Sequence, residues 1–461
     1  MAHHFHPSLL RDYDMRGTMD RTLGPADAWA LGRSFGTIVR RDGGSRIAVG
    51  YDGRLSSPLL EQALVDGLVA TGIAVTRVGL GPTPMLYHAE AVGDVDGAIQ
   101  ITGSHNPRDD NGFKLVKQHM PFFGPDIARL GEVAAAGDWI DGDGGRIDQI
   151  DAMTPYVARL VQGFDGPACR IGWDAGNGAA GPVLEKLVDL LPGEHHLLFT
   201  DIDGNFPNHH PDPSRDRNLA DLRSLVADKK LDFGVAFDGD GDRIGVVDAL
   251  GRSIAGDQLL GLFAEDVLRT CPGAAVVADV KASQALFDRV AALGGRPDMW
   301  KTGHSHIKSR MKQIGSPLGG EMTGHIFFAD YYFGFDDALY AAVRLIRAVG
   351  TLGRSVTDLR GDMPDLHVTP EWRIPVREDR KFAVVAELLD HLRRSGADMV
   401  SIDGARVRTT DGWWLLRASN TEAALVARAE SGDAQGLHRL IRQIESHLAE
   451  SGVSFSAQPG K

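Results

Sequence analysis

One succession of local signals recurs three times along the 461 residues, and few folds can accommodate it. Each round opens with an apolar run ending in aspartate: Arg46 to Asp52, Arg170 to Asp174 and Ala275 to Asp279. Such runs read as buried strands. A turn follows, marked by Ser56, Ser57 and Pro58, by Gly176 and Gly178, and by Ser283, which are helix-start and turn residues. Apolar residues then recur at helical spacing: Leu60, Ala63, Leu64, Gly67 and Leu68; Val183, Leu184, Leu187, Val188 and Leu191; Leu286, Phe287, Val290 and Leu293.

The second half of each round is another strand that breaks into a polar loop: Thr102 to Pro107, Asp238 to Arg243, and Gly320 to His325. After each loop the pattern predicts a hairpin. The three pairs are Phe113–Val116 with Pro121–Phe123, Ile244–Val247 with Ser253–Ile254, and Ile326–Phe328 with Tyr332–Phe333. Helices then open at Asp126, Asp257 and Asp337, where aspartate caps and matches the helix dipole.

Strands alternating with helices in the same order three times predict three similar α/β domains with mixed sheets. The functional loops fall at the carboxyl ends of strands, where open α/β sheets place them. A Gly- and Asp-rich stretch from Gly137 to Thr154 reads as a linker, and further breaks lie at Arg252–Gly256 and Gly361–Asp365. The expected domains are 1–148 with the serine loop, 149–253 with the acidic loop, 254–364 with the Gly320–His325 loop, and 365–461. The last differs in kind. It carries a helix with Phe382, Val385, Leu388, Leu389 and Leu392, strands including Trp413–Leu416 and Ala424–Val426, and a closing helix with Leu437, Leu440, Ile441, Ile444 and Leu448. It reads as α+β.

Charge narrows the functions open to such a chain. The formal net charge is −13, which argues against nucleic-acid binding and supplies no basic membrane patch. No run of 18 apolar residues exists to span a membrane. Only Cys169 and Cys271 occur, without a Cys-x-x-Cys, and the start Met1-Ala2-His3-His4-Phe5-His6 is neither apolar nor rich in Lys and Arg. A cytoplasmic protein without a signal peptide is the expectation.

Four loops carry groups suited to phosphoryl chemistry. In Thr102-Gly103-Ser104-His105-Asn106-Pro107, a serine hydroxyl stands on a turn clear of its strand, with His105 beside it and Lys114 ten residues on. That arrangement suits a nucleophile or phosphoryl carrier. Asp238-Gly239-Asp240-Gly241-Asp242-Arg243 places three carboxylates on alternate residues of a glycine-rich loop. They can converge on one hard cation and leave positions open for a phosphate, as Mg²⁺ requires. An EF-hand reading fails, because Arg243 and Ala249 stand where that loop needs Gly and Glu. Glu321 and Thr323 can bind sugar hydroxyls, and His325 can move a proton near neutral pH. Arg417, Ser419, Asn420 and Thr421 form a phosphate cradle after the Trp413–Leu416 strand. Tyr13-Asp14-Met15-Arg16-Gly17 and Lys301-Thr302-Gly303-His304-Ser305 add two further polar patches.

Together these loops, in this order and at these separations, resemble the α-D-phosphohexomutase family, and most closely its bacterial phosphomannomutase/phosphoglucomutase branch. The resemblance runs from Tyr13 through Thr421 into the C-terminal helix. It implies three related α/β domains and a fourth resembling the TATA-binding-protein fold, set around a central cleft. It implies Ser104 as a phosphoserine, and Asp238, Asp240 and Asp242 with the Ser104 phosphate as the ligands of Mg²⁺. Arg16, Lys114 and His325 would lie near the transferring groups, with Lys114 or His325 moving the proton. Glu321 and Thr323 would grip sugar hydroxyls. Tyr13, Arg243, Lys281 and His304 would line the cleft, and Arg417, Ser419, Asn420 and Thr421 would hold the non-reacting phosphate. Two departures stand out: Thr323 where the branch has Ser, and no Pro just after the last motif, where Ala423 and Ala424 stand.

The resemblance implies a Mg²⁺-dependent enzyme that interconverts the 1- and 6-phosphates of glucose and mannose through a bisphosphate, with glucose 1,6-bisphosphate as activator. Its partners would be small sugar phosphates, without nucleic acid or membrane, on a monomer or weak dimer. Phosphoglucosamine mutase is the alternative within the family, although Met322 fits the mannose/glucose branch, where the other has Gln. A sugar phosphatase would release phosphate to water instead, and a sugar-phosphate sensor would bind without turnover.

Overall fold

In the computed structural model, residues 2–420 and 422–457 are described. The first sheet collects β1 (Met15–Thr18), β2 (Arg46–Tyr51), β3 (Ala74–Leu80), β4 (Gly97–Ile101), β5 (Asp110–Lys117), β6 (Met120–Pro121) and β7 (Arg146–Gln149), in the order β1-β5-β4-β2-β3-β7 with β6 hairpinned onto β5. The second contains β8 (Cys169–Asp174), β9 (Gly193–Leu198), β10 (Phe233–Phe237), β11 (Ile244–Asp248) and β12 (Ser253–Ile254), ordered β12-β11-β10-β8-β9. The third contains β13 (Ala275–Asp279), β14 (Arg296–Trp300), β15 (Leu318–Gly320) and β16 (Ile326–Phe328), ordered β14-β13-β15-β16.

The same four-strand unit stands in all three sheets. The Asp-ending strand is central and pairs in parallel on both sides, and the strand feeding the polar loop is flanked by an antiparallel neighbour. These units are β3-β2-β4-β5, β9-β8-β10-β11 and β14-β13-β15-β16. Strands β4, β10 and β13 are buried at every position, which is why they read as continuous apolar runs rather than alternating ones. The terminal aspartates brace the turns that follow. Asp52 accepts from Ser57 Oγ at 2.6 Å and from Thr102 Oγ1 at 2.8 Å, so it fixes both the helix start and the serine loop.

Three local expectations need correction. The third hairpin is incomplete: Tyr332 and Phe333 form no strand, and the chain returns through a single bridge between Phe327 and Asp336. Tyr332 turns inward, stacks on Tyr340 at 3.9 Å and donates to Asp337 at 2.8 Å, so its hydroxyl is satisfied in the core rather than along a sheet edge. Asp337 caps its helix through Tyr340 N at 2.9 Å, but Asp126 and Asp257 sit inside the first helical turn. The stretch 137–154 also supplies β7, an exposed edge strand parallel to β3.

The C-terminal sheet is wholly antiparallel. It contains β17 (His367–Val368), β18 (Trp372–Pro375), β19 (Met399–Val400), β20 (Ala405–Thr409), β21 (Gly412–Ala418) and β22 (Ala424–Ser431), ordered β17-β22-β21-β20-β19 with β18 also on β22. Alternation along β21 assigns its two faces. Trp414 and Leu416 pack with Val384, Leu388, Leu440 and Ile444 of the helices Lys381–Ser395 and Ala434–Glu450. Trp413 and Leu415 pack on Val280 of the third unit. Phe382 is 58% exposed, and Val384 takes the inward place expected for it. The cores of the second and third units are continuous. Among the described residues, no helix is long and apolar enough to cross a membrane.

Candidate active site

Ser104 is buried and lies at φ 50°, in the left-handed region that non-glycine residues rarely adopt. Arg54, itself fully buried, holds it there. Its guanidinium donates to the carbonyls of Ser104 and Asn106 at 2.7 Å, of Pro107 at 2.6 Å and of Asp110 at 2.8 Å. Position 103 must be glycine, because a Cβ there would meet Arg54 Cζ at 2.4 Å. Arg16 reaches the same loop, donating to Asn106 Oδ1 at 3.0 Å and to Gly103 O at 3.3 Å, while Asp14 accepts from its Nε at 2.7 Å.

The hydroxyl of Ser104 donates to Asp238 Oδ2 at 2.8 Å and lies 3.1 Å from His105 Nδ1. Arg243 contacts His105 Nε2 at 3.3 Å, and since a guanidinium only donates, that nitrogen accepts. The proton of the neutral ring is therefore on Nδ1, facing the serine. Burial, reinforced by Arg243, holds His105 well below the ordinary imidazole range, so the ring is neutral.

Asp238, Asp240 and Asp242 converge opposite the serine, fully buried, with carboxylate oxygens of all three within 4.8 Å of one another. Asp238 Oδ1 is fixed by the backbone N–H groups of Asp242 at 3.0 Å and Arg243 at 3.1 Å. Asp240 accepts from Thr83 Oγ1 at 2.5 Å and from Lys114 Nζ at 2.6 Å, and Lys114 also pairs with Asp242. Burial alone would lower the pKa of Lys114, but the two carboxylates hold it well above the usual range and keep it an ammonium. Burial, with repulsion from Asp240 and Asp242, pushes the Asp238 carboxyl well above its ordinary value. One oxygen each of Asp240 and Asp242 is buried without a hydrogen-bond partner. Three carboxylates, two of them with an orphaned oxygen, in a space one cation spans fit a metal ion.

His325 stands beside them. Its Nε2 accepts from Arg243 Nε at 2.9 Å, which puts the ring proton on Nδ1, and Nδ1 lies 3.0 Å from Asp336. Asp336 also accepts from Lys308 Nζ at 2.9 Å. Although burial opposes it, Lys308 with His325 and His304 holds this carboxylate well below its ordinary range. His304 stacks on His325 at 5.5 Å between ring centroids, and burial, with Lys308 adding, keeps it neutral.

A second cluster links the third unit, the C-terminal sheet and the N-terminal arm. Glu321 is buried and accepts from Gly303 N at 2.7 Å. Lys281 Nζ pairs with Glu371 at 3.1 Å. Arg417 Nε donates to Asp403 at 2.9 Å, and one terminal nitrogen of Arg417 is buried without a hydrogen-bond partner. Asn420 Nδ2 lies 2.5 Å from Tyr13 Oη, which donates to Thr302 O at 2.8 Å. Ser419 Oγ accepts from Glu422 N at 3.1 Å, turning the chain after β21. Thr421 lies outside the described residues.

A cleft of about 1240 Å³ is lined by residues of all four units, among them His105, Asp212, Arg243, Thr323, Glu371 and Arg428. Thr323 and Arg243 thus face open space, whereas Ser104, Lys114 and the three aspartates lie behind that surface. Sequence reasoning missed Arg54, Thr83, Lys308 and Asp336. Asp336 and Asp337 stand as an acidic pair at a helix start, where capping alone accounts for both. The one available signal for Arg54 is its place two residues after a strand-ending aspartate.

Four consecutive stretches match the parts of one family, described as phosphoglucomutase/phosphomannomutase. Residues 7–138, 154–251 and 255–366 match its alpha/beta/alpha domains I, II and III, and residues 371–447 match its C-terminal domain. The chain is 41% identical over 442 residues to a phosphomannomutase/phosphoglucomutase of Pseudomonas aeruginosa, covering 96% of this chain and 95% of that one. It is 40% identical over 443 residues to a phosphoglucomutase of Neisseria meningitidis, covering 95% and 96%. Among solved structures, a phosphoglucomutase/phosphomannomutase family protein from Burkholderia thailandensis superposes with a TM-score of 0.92 at 40% identity, covering 97% of this chain and 98% of that one.

Proposed function

The chain belongs to the phosphoglucomutase/phosphomannomutase family, the bacterial branch of the α-D-phosphohexomutases, and on that premise we propose that it interconverts the 1- and 6-phosphates of glucose and mannose through a phosphoserine at Ser104 and a 1,6-bisphosphate. The observation that carries this reading is the Ser104 hydroxyl, held in a strained turn 2.8 Å from one of three converging buried aspartates.

In the first transfer, the bond between phosphorus and Ser104 Oγ breaks as a bond forms to the free sugar hydroxyl, and the departing serine oxygen takes up a proton from solvent to become the hydroxyl that donates to Asp238; the return transfer moves both protons back. The proton of that hydroxyl passes to His325 Nε2. Asp336 at 3.0 Å from Nδ1 steadies the imidazolium that results. Arg243, which donates to His325 Nε2, must move aside for this step, and it lines the open cleft. Lys114 is a poor base, since its carboxylate partners keep it protonated; it supplies fixed positive charge instead, together with Arg16. Asp238, Asp240 and Asp242 would hold a hard divalent ion, which we take to be Mg²⁺, and that ion would supply charge neutralisation.

Glu321 and Thr323 grip sugar hydroxyls, with Lys281 and His304 beside them. Arg417, Ser419, Asn420 and Thr421 hold the phosphate that is not reacting, with Tyr13 at their edge. The unpartnered nitrogen of Arg417 supports this assignment, because a phosphate oxygen would satisfy it. The bisphosphate then turns over and returns its other phosphoryl to Ser104. Glucose 1,6-bisphosphate, by the same reaction, primes enzyme that has lost its phosphate.

The test is Ser104→Ala, assayed with glucose 1-phosphate and mannose 1-phosphate. Turnover of both should fall to background. Near-normal turnover would remove Ser104 from the reaction, and release of free phosphate without isomer would mark a phosphatase.

A further inference from the structure

A second group of metal-binding side chains shares no residue with the active site. His391 stands on the helix Lys381–Ser395, and His447 and Glu450 stand in the last turn of the helix Ala434–Glu450. Both helices cover the Trp414 face of the C-terminal sheet. The Nδ1 atoms of His391 and His447 each lie 3.6 Å from the same oxygen, Glu450 Oε2. The two rings meet edge-on, with centroids 5.3 Å apart.

These spacings suit an ion better than hydrogen bonds. At 3.6 Å neither contact reaches N–H···O distance, which is about 2.7 to 3.2 Å. Donors sharing a tetrahedral ion with bonds of 2.0 to 2.1 Å lie about 3.3 Å apart, a few tenths of an ångström less than each histidine's distance to Glu450, and one ligand atom from each of the three residues lies within 4.8 Å of the others. His447 Nδ1 is buried and has no hydrogen-bond partner, a state that costs free energy unless something meets its lone pair. The ring is packed against Trp414, with centroids 5.4 Å apart, which holds it in place beside Glu450.

Charge points the same way. Glu450 is the last residue of its helix, at the negative end of the dipole, where an anion is unfavourable and a cation favourable. Its ion-pair partners among the described residues are these two histidines alone.

We propose that His391, His447 and Glu450 bind a divalent transition-metal ion of the zinc class, tying the end of the C-terminal helix to the helix beside it. Two imidazoles with one carboxylate select such an ion over Mg²⁺, which prefers oxygen ligands throughout. The ligand side chains are 45%, 17% and 50% exposed, which leaves entry for the ion and room for water to complete its coordination.

The full-length protein is stripped with a chelator, reloaded with excess Mg²⁺ to fill the acidic loop, and titrated with Zn²⁺ by calorimetry. Wild type should bind one more Zn²⁺ per chain than His391→Ala, and Glu450→Gln should weaken that ion at least about tenfold, as the loss of a ligand does. Zn²⁺ should raise the melting temperature of wild type and leave that of His391→Ala unchanged. Turnover with Mg²⁺ alone should be equal in all three proteins, which shows that the variants are folded. Equal Zn²⁺ stoichiometry and affinity in wild type and both variants would overturn the proposal and assign the ion to the acidic loop or to His3, His4 and His6.

Discussion

A serine in the left-handed region costs on the order of 1–3 kcal/mol, and the four carbonyls gripped by Arg54 are what hold Ser104 there. Asp336 does comparable positioning for His325. Asp336→Asn should lower kcat by about 10- to 100-fold while leaving KM for the sugar phosphate nearly unchanged, as loss of an orienting carboxylate does. Steady-state kinetics on both substrates reads this directly, and an unchanged kcat would separate Asp336 from the proton path. Asp240→Asn keeps the shape of its side chain but removes a charge, so the Mg²⁺ titration should move to higher concentration and turnover should fall. An unchanged titration would place the ion elsewhere. At this scale the meeting of the serine, the three aspartates and Lys114 was legible, because the serine and the aspartates sit in short motifs with their own chemical logic and Lys114 follows the serine by ten residues. Arg54 and Asp336 were not: Arg54 acts on a loop 50 residues away, and Asp336 meets His325 only after the chain has turned back on itself.

Among the elements, the helices Pro25–Arg41 and Ser57–Val69 cross at two glycines. A Cβ on Gly32 would lie 2.3 Å from Leu64 O, and one on Gly67 would lie 2.2 Å from Trp29 O. Gly32→Ala should therefore destabilise the N-terminal unit by about 1–3 kcal/mol through overpacking. Thermal unfolding should show the loss, and KM of the folded enzyme should be unchanged; a variant as stable as wild type would mean that the crossing relaxes freely. Sequence alone placed Gly67 on the apolar face, but a close helix crossing has no local signature, since each glycine's reason lies on the other helix. The three Asp-ending strands and their loops were readable because buried strands leave continuous apolar runs. Tyr332 and Phe333 misled the reading: aromatic residues favour strands, yet here Tyr332 fills the core against Tyr340.

In the whole molecule, three copies of one four-strand unit present their loops in equivalent places, and the C-terminal sheet adds Arg417, the proposed holder of the non-reacting phosphate. The order of these units was legible from repetition, whereas the contacts among them, such as Asn420 with Tyr13, join residues some 400 positions apart and leave no sequence trace. Arg417→Lys should raise KM for the sugar phosphate about tenfold or more, because an ammonium cannot keep the Asp403 contact and bind two phosphate oxygens as the guanidinium fork does. Unchanged kinetics would put the phosphate elsewhere. On the proposed mechanism one serine loop and one cradle serve both ends of the sugar, so the bisphosphate would exchange its ends between transfers, and the contacts across Tyr13 and Asn420 would have to release for it. Added glucose 1,6-bisphosphate should then restore enzyme stripped of phosphate, and full activity of stripped enzyme without it would argue against a carrier. The central claim is that the phosphoryl on Ser104 becomes part of the product. Enzyme labelled with radioactive phosphate is mixed with unlabelled glucose 1-phosphate, quenched after about one turnover, and its protein, sugar phosphates and free phosphate are separated. The account predicts that label leaves Ser104 and appears in the bisphosphate and then in glucose 6-phosphate. Label that stays on the protein through many turnovers, or that emerges as free phosphate at the turnover rate, would contradict it.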